Sequence, residues 1–251
     1  MLLIPSARQW VIQMRYRSIA RNGDIRAQLR AWQDRIRDPL LTMLLALELC
    51  AEFVVGPLAA RGLPIARAVA DALVLALLAI VVLLSHRPGA IISIALGLAA
   101  IIASLAFGAQ WPPTTATLLR RGGNIIAFSA LAWVVGHAVY SPGRITYRRL
   151  QGAVVVYLTV AAIFASAYGL IWELVPGAFG SLQTATIGDN AEAAALMYFS
   201  LTTLTTTGYG DIVAVDPFVR SLANLEALIG VFYVAITVAR LVTLELEDRR
   251  R

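Results

Sequence analysis

The sequence predicts an all-α membrane protein with six transmembrane helices and a shorter, re-entrant helix that leads into an extended segment. Three observations carry this. Of 251 residues, 59% are hydrophobic and 14% charged, with a mean hydropathy of +0.74; a water-soluble chain of this length needs far more polar surface. Six stretches reach the about 20 mainly apolar residues that a membrane-crossing helix requires, at 40–59, 65–84, 90–109, 123–140, 151–174 and 218–243. A seventh apolar segment, 191–204, carries Glu192 as its single charge and is too short to cross, which suits a re-entrant helix.

The breaks between these elements hold the expected residues: Gly62 and Pro64, Pro88-Gly89, Pro112-Pro113, Pro142-Gly143 and Pro176-Gly177. Orientation follows from the basic residues, all 21 of which are arginine. With the N-terminus inside, 15 fall on the cytoplasmic side and five (Arg61, Arg67, Arg120, Arg121, Arg220) on the outer side, with Arg240 near the inner end of the last span. That bias predicts both termini in the cytoplasm of a multi-pass protein of the cell membrane, and opens the 175–217 segment to the outside. The formal charge of +6 points to anionic lipid headgroups and not to nucleic acid, because the arginines flank apolar spans. Residues 1–38 interleave Trp10, Ile12, Ile25, Leu29 and Trp32 with arginines; an interfacial amphipathic helix and a solvated basic tail both fit. The Met-Leu-Leu-Ile-Pro start is too short for a signal peptide. The single cysteine, Cys50, allows no intrachain disulfide framework and no Cys-rich metal site.

The chemistry concentrates in Leu201-Thr-Thr-Leu-Thr-Thr-Thr-Gly-Tyr-Gly-Asp211. A dehydrated monovalent cation needs a cage of oxygens in place of water. Consecutive carbonyls point one way only if the backbone alternates between left- and right-handed conformations, which glycine tolerates without steric cost. The Gly208-Tyr209-Gly210 spacing meets that need, the Thr206 hydroxyl adds oxygens at the inner end, and Asp211 stands just outside.

This run, between two apolar spans, resembles the selectivity filter of prokaryotic potassium channels in the six-helix tetrameric cation-channel superfamily. The resemblance is specific over 191–245 and rests on span count before residue 150. It implies that Thr206, Thr207, Gly208 and Tyr209 donate carbonyls to potassium, with the Thr206 side chain closing the innermost site and Gly210 completing the loop. One such loop per chain supplies a quarter of the ring, so a homotetramer is implied. Potassium is then the permeant ion; no cofactor is implied. Two departures stand out. Thr207 occupies a position where the family usually has Val or Ile, and its hydroxyl needs a partner if buried. The pore-helix carboxylate that many relatives carry is replaced by Thr202. Tyr198 falls where an aromatic often braces the filter aspartate, so a Tyr198–Asp211 hydrogen bond is expected. Glu226, in the last span, has two places open to it: behind the pore helix as a hydrogen-bond partner, or near the outer headgroups.

Gly230 matches a bending glycine in the resemblance; close helix packing is the alternative. Ala235, Val238, Ala239 and Val242 beyond it suit a gate that closes by excluding water. The fourth span has Arg120 and Arg121 before it and no charge within, so strong voltage dependence is not expected. Glu48, Glu52 and Asp71 are acids within the first two spans. A buried structural ion-pair cluster, with Arg67, Arg120 or Arg121 in reach of Glu52 and Asp71, is the first reading; a remnant sensor or proton-sensitive site is the second. His137 is read as a packed residue before a pH sensor.

The chain thus divides into a basic segment (1–38), a four-helix sensor-like bundle (39–145) and a pore unit (146–251). A secondary potassium transporter would carry four loops per chain. A non-conducting regulatory subunit is at odds with an intact filter. An enzyme lacks a nucleophile with a base, a ligand cluster or a phosphate loop.

Overall fold

The computed structural model describes residues 39–85, 88–140, 147–181 and 189–249. The expected basic segment 1–38 lies outside them, as do the side chains of Arg67 and Asp71. Leu40–Arg251 form one compact unit.

Seven helices account for most of the described residues: α1 Pro39–Ala60, α2 Pro64–Leu84, α3 Pro88–Phe107, α4 Pro113–Tyr140, α5 Tyr147–Leu174, α6 Asp189–Leu204 and α7 Pro217–Arg249. Five of the seven helices (α1, α2, α3, α4 and α7) begin at proline, whose missing N–H is no loss in a first turn. Five helices (α1, α3, α4, α5, α7) are long and apolar enough to cross a membrane; the apolar stretch of α2 is shorter, at Ala68–Val82. The protein is a multi-pass membrane protein.

Two boundaries differ from the sequence reading. The fourth helix begins at Pro113, ten residues before the apolar count does, so Arg120 and Arg121 lie inside it. The count failed there because two charges lower the average of a turn that the backbone nevertheless completes. In α1, Ala51–Val55 form a π-turn, with the Gly56 N–H bonded to the Ala51 carbonyl. Pro57 gives the reason: in α-helical register its ring would meet the carbonyl four residues back, and widening the turn avoids this.

Helices α4 and α5 are neighbours in sequence and pack along each other. Helices α3 and α4 cross at backbone distance: a Cβ on Gly97 would stand 2.7 Å from the Gly123 carbonyl oxygen, and one on Gly123 would stand 2.8 Å from that of Gly97. Small residues permit such approach where no hydrophobic drive favours it. The bundle core joins Leu44, Leu78, Val81, Ile94, Leu131 and Val135 to Val155 of α5.

A second core sits behind α6, built from Tyr168, Phe179, Leu196, Phe199, Ile212 and Val219. Its rings meet edge to face, with Tyr168–Phe199 centroids 5.0 Å apart and Phe179–Phe199 5.4 Å apart. Phe179 is brought there by β1 (Phe179–Gly180), which pairs antiparallel with β2 (Val213–Ala214) in the register Phe179 to Ala214. Asp216 then caps α7, its Oδ1 accepting the Phe218 N–H at 2.8 Å, with Pro217 in the first turn.

Candidate functional site

Sixteen residues at 1.5 Å each make α6 about 24 Å long, short of a bilayer core. It ends in a run of threonines, whose β-branching disfavours helix and whose hydroxyls bond back to the preceding turn. Thr205 Oγ1 donates to the Leu201 carbonyl (2.7 Å) and Thr202 Oγ1 to that of Phe199 (3.0 Å). The chain leaves the helix through Thr206, at φ 56°. The Thr206 N–H bonds to the Thr203 carbonyl (2.9 Å) and the Thr207 N–H to that of Thr202 (2.8 Å), the pairing of a Schellman cap. A β-branched residue thus fills a left-handed position usually given to glycine. Thr202 contributes through its carbonyl, which also accepts the Gly208 N–H at 3.1 Å.

From there positive φ recurs at every second residue: Thr206 (56°), Gly208 (53°) and Gly210 (80°). A Cβ on either glycine would meet nothing within 4 Å, so the requirement here is conformational and not spatial. Residues 205–211 are exposed on the single chain, Tyr209 by 71%. The Tyr209 ring stacks on that of Tyr198, at 6.1 Å and 2°, and Asp211 lies near enough to interact with the Tyr198 hydroxyl. The Thr207 hydroxyl meets that of Thr205 at 2.9 Å.

Residues 152–246, which run from α5 through this loop into α7, match the family model described as an ion channel. That stretch is similar to an ion-channel domain. No curated protein and no solved structure gave a match to the chain.

Behind this loop, Glu226 of α7 is fully buried. Of the two places open to it, it takes the one against α6: Ser200 Oγ donates to its Oε1, and Tyr168 Oη of α5 donates to Oε2 at 2.6 Å. One carboxyl therefore joins α5, α6 and α7. Four residues on, Gly230 faces the end of α6, where an added Cβ would stand 1.9 Å from the Leu204 carbonyl oxygen. That carbonyl, a helix-end acceptor, receives the Tyr157 hydroxyl at 3.1 Å. Close packing at Gly230 is therefore a specific contact. Below it Val238, Ala239 and Val242 are exposed on the single chain, as is Ala235.

In the bundle, Glu48 is 5% exposed, and its Oε1 accepts the Thr159 hydroxyl of α5 at 2.8 Å. Glu52 lines a cavity of about 440 Å³ together with Arg120, Arg121, Asn124 and Tyr198. Among the described residues, Arg121 pairs with Glu192 of α6, at 2.9 Å. The sequence did not point to this pair, because Glu192 is 71 residues from Arg121 and no periodicity links them. The single charge in the apolar stretch 191–204 was the only sign, and it marks a residue that needs a partner. His137 of α4 is exposed on the single chain, as is Cys50.

Proposed function

We propose that the protein is one subunit of a homotetrameric, potassium-selective channel that conducts passively through the 206–210 loop. The observation that carries this reading is the left-handed backbone at every second residue of 206–210, the conformation that lines up successive carbonyls. On this reading Thr206, Thr207, Gly208 and Tyr209 offer those carbonyls to dehydrated potassium, the Thr206 hydroxyl closes the inner end, and Gly210 lets the chain leave. Asp211 and Tyr198 brace the loop from outside, while Glu226 and Thr202 hold it from behind.

Four copies are needed because one loop lines one side of the pathway. The exposure of α7 supports assembly: 17% of its apolar window is buried in the single chain against 56% for α5, and Phe218 is 81% exposed. Helix α2 completes a six-span topology with both termini in the cytoplasm of a cell-membrane protein. The 15 arginines of that side match anionic headgroups. A weakly voltage-dependent channel is the second reading, favoured by the two arginines that α4 carries in its outer half.

The test is potassium efflux from loaded liposomes, beside Gly208→Ala. A left-handed alanine costs about 1–2 kcal/mol in each of four subunits, so the variant should assemble and lose flux. Equal flux in the two proteins, or flux indifferent to potassium and sodium, refutes the assignment. Silent wild-type tetramers would move the regulatory-subunit reading forward.

A further inference from the structure

Besides its apolar packing, the pore helix is tied to charged side chains at two places, and only one belongs to the pore unit. Near its C-terminal end, Ser200 is tied to Glu226, and Leu204 lies against Gly230. Near its N-terminal end, Glu192 is tied to Arg121 of α4, a helix of the bundle. The two side chains are 8% and 19% exposed, so this is an interior ion pair and not a surface one. Such pairs are sensitive to the removal of either partner, because the remaining charge stays out of water.

Gly169 makes the pair possible. It lies on α5, between α4 and α6, and the guanidinium passes over its bare backbone. A Cβ there would stand 2.6 Å from Arg121 Nε and 2.7 Å from Cζ. Three elements thus cooperate: α4 supplies the charge, α5 supplies the gap, and α6 supplies the acid in its first turn, where the helix dipole favours a negative group.

We infer that Arg121 is a positioning residue for the filter, acting through Glu192 as a strut from the bundle to the outer end of the pore helix. The inference rests on reading 206–210 as the filter. Six residues, about 9 Å of helix, separate Glu192 from Tyr198, whose ring stacks on Tyr209. With Ser200 and Leu204 fixed, a loose outer end tilts α6 about its inner end and moves Tyr198 away from Tyr209. Arg121 is then a fixed mechanical part and not a charge that travels in the membrane field. The bundle acts on conduction by bracing the filter of its own subunit.

The test uses the full chain in liposomes, with Arg121→Gln, Glu192→Gln, the exchanged pair Arg121→Glu/Glu192→Arg, and Gly169→Ala, which keeps both charges but closes the gap. Sustained potassium flux should fall about tenfold in the first, second and fourth while tetramers persist, and the exchanged pair should recover most of it. Flux within twofold of wild type in both single charge variants, alongside a silent Gly208→Ala control, overturns the strut and leaves the channel reading intact. Hydrogen exchange of 191–204 decides the matter without flux, even if the wild type proves silent. Faster exchange confined to 191–196 in Arg121→Gln and Gly169→Ala supports the strut. An unchanged profile, or one loosened equally through 200–204, overturns it.

Discussion

Gly230→Ala separates two roles for the same glycine by the sign of its effect. An alanine at an ordinary position within a helix stabilises by about 1 kcal/mol relative to glycine. Here the new Cβ would lie 1.9 Å from the Leu204 carbonyl oxygen, more than 1 Å inside the 3.0 Å that real Cβ atoms keep. The obstacle is backbone, so no rotamer change removes it; α7 must move away from the end of α6. Overpacking of this kind costs about 1–3 kcal/mol, and losing the Tyr157 bond to the same carbonyl costs about 1 kcal/mol more. The sum outweighs the gain in helix propensity and leaves the variant roughly 1–3 kcal/mol less stable. Thermal dissociation of purified tetramers should therefore drop by several degrees, at about 2–4 °C per kcal/mol for a chain of this size. Adding Leu204→Ala should not restore it, because the oxygen remains. A Gly230→Ala tetramer as stable as wild type, altered only in opening, would refute the packing argument and assign the glycine to bending.

Three further outcomes are expected. Glu226→Leu removes the acceptor of both Tyr168 and Ser200 and should cost about 2–4 kcal/mol at two bonds to a carboxyl; tetramer melting measures it, and Glu226→Gln, which keeps an acceptor oxygen, should lose less. Tyr198→Phe keeps the stacked ring but removes the hydroxyl that faces Asp211, so conduction should persist with faster inactivation in planar-bilayer recordings; wild-type kinetics would count against the brace. Thr207→Val removes the hydroxyl that meets Thr205 while leaving the carbonyl in place, so potassium over sodium selectivity should survive and inactivation should change. Unchanged inactivation would mean that the hydroxyl pair is idle.

What could be read in advance divides along physical lines. The loop was legible because its constraint is local: Gly208 and Gly210 are needed for their own φ angles, and the spacing states this without reference to the rest of the chain. The long helices were legible because a bilayer sets their length. The partner of Glu226 was undecided in the sequence, since one acid in an apolar span says that a partner exists but not on which helix; α5 and α6 supply it through Tyr168 and Ser200. Arg121–Glu192 was missed for the same reason at greater separation, and the shape of Gly169 becomes meaningful only once α4, α5 and α6 are seen side by side. The left-handed Thr206 was hidden too, because the residue type argues against the conformation and the cap that imposes it is made by neighbours.

The widened turn at Ala51–Val55 has a consequence for how the first span is to be altered. One extra residue is absorbed there without breaking the helix, so the two halves of α1 follow separate phases, offset by about 100°. A helical wheel drawn through the whole span therefore assigns outward and inward faces correctly on one side of Gly56-Pro57 and wrongly on the other. Scanning substitutions should be phased anew from Gly56. Replacing Pro57 with alanine removes the reason for the offset and allows the turn to tighten, which would rotate residues 39–50, Glu48 among them, relative to 56–60. That single change would test whether the bundle tolerates a continuous first helix.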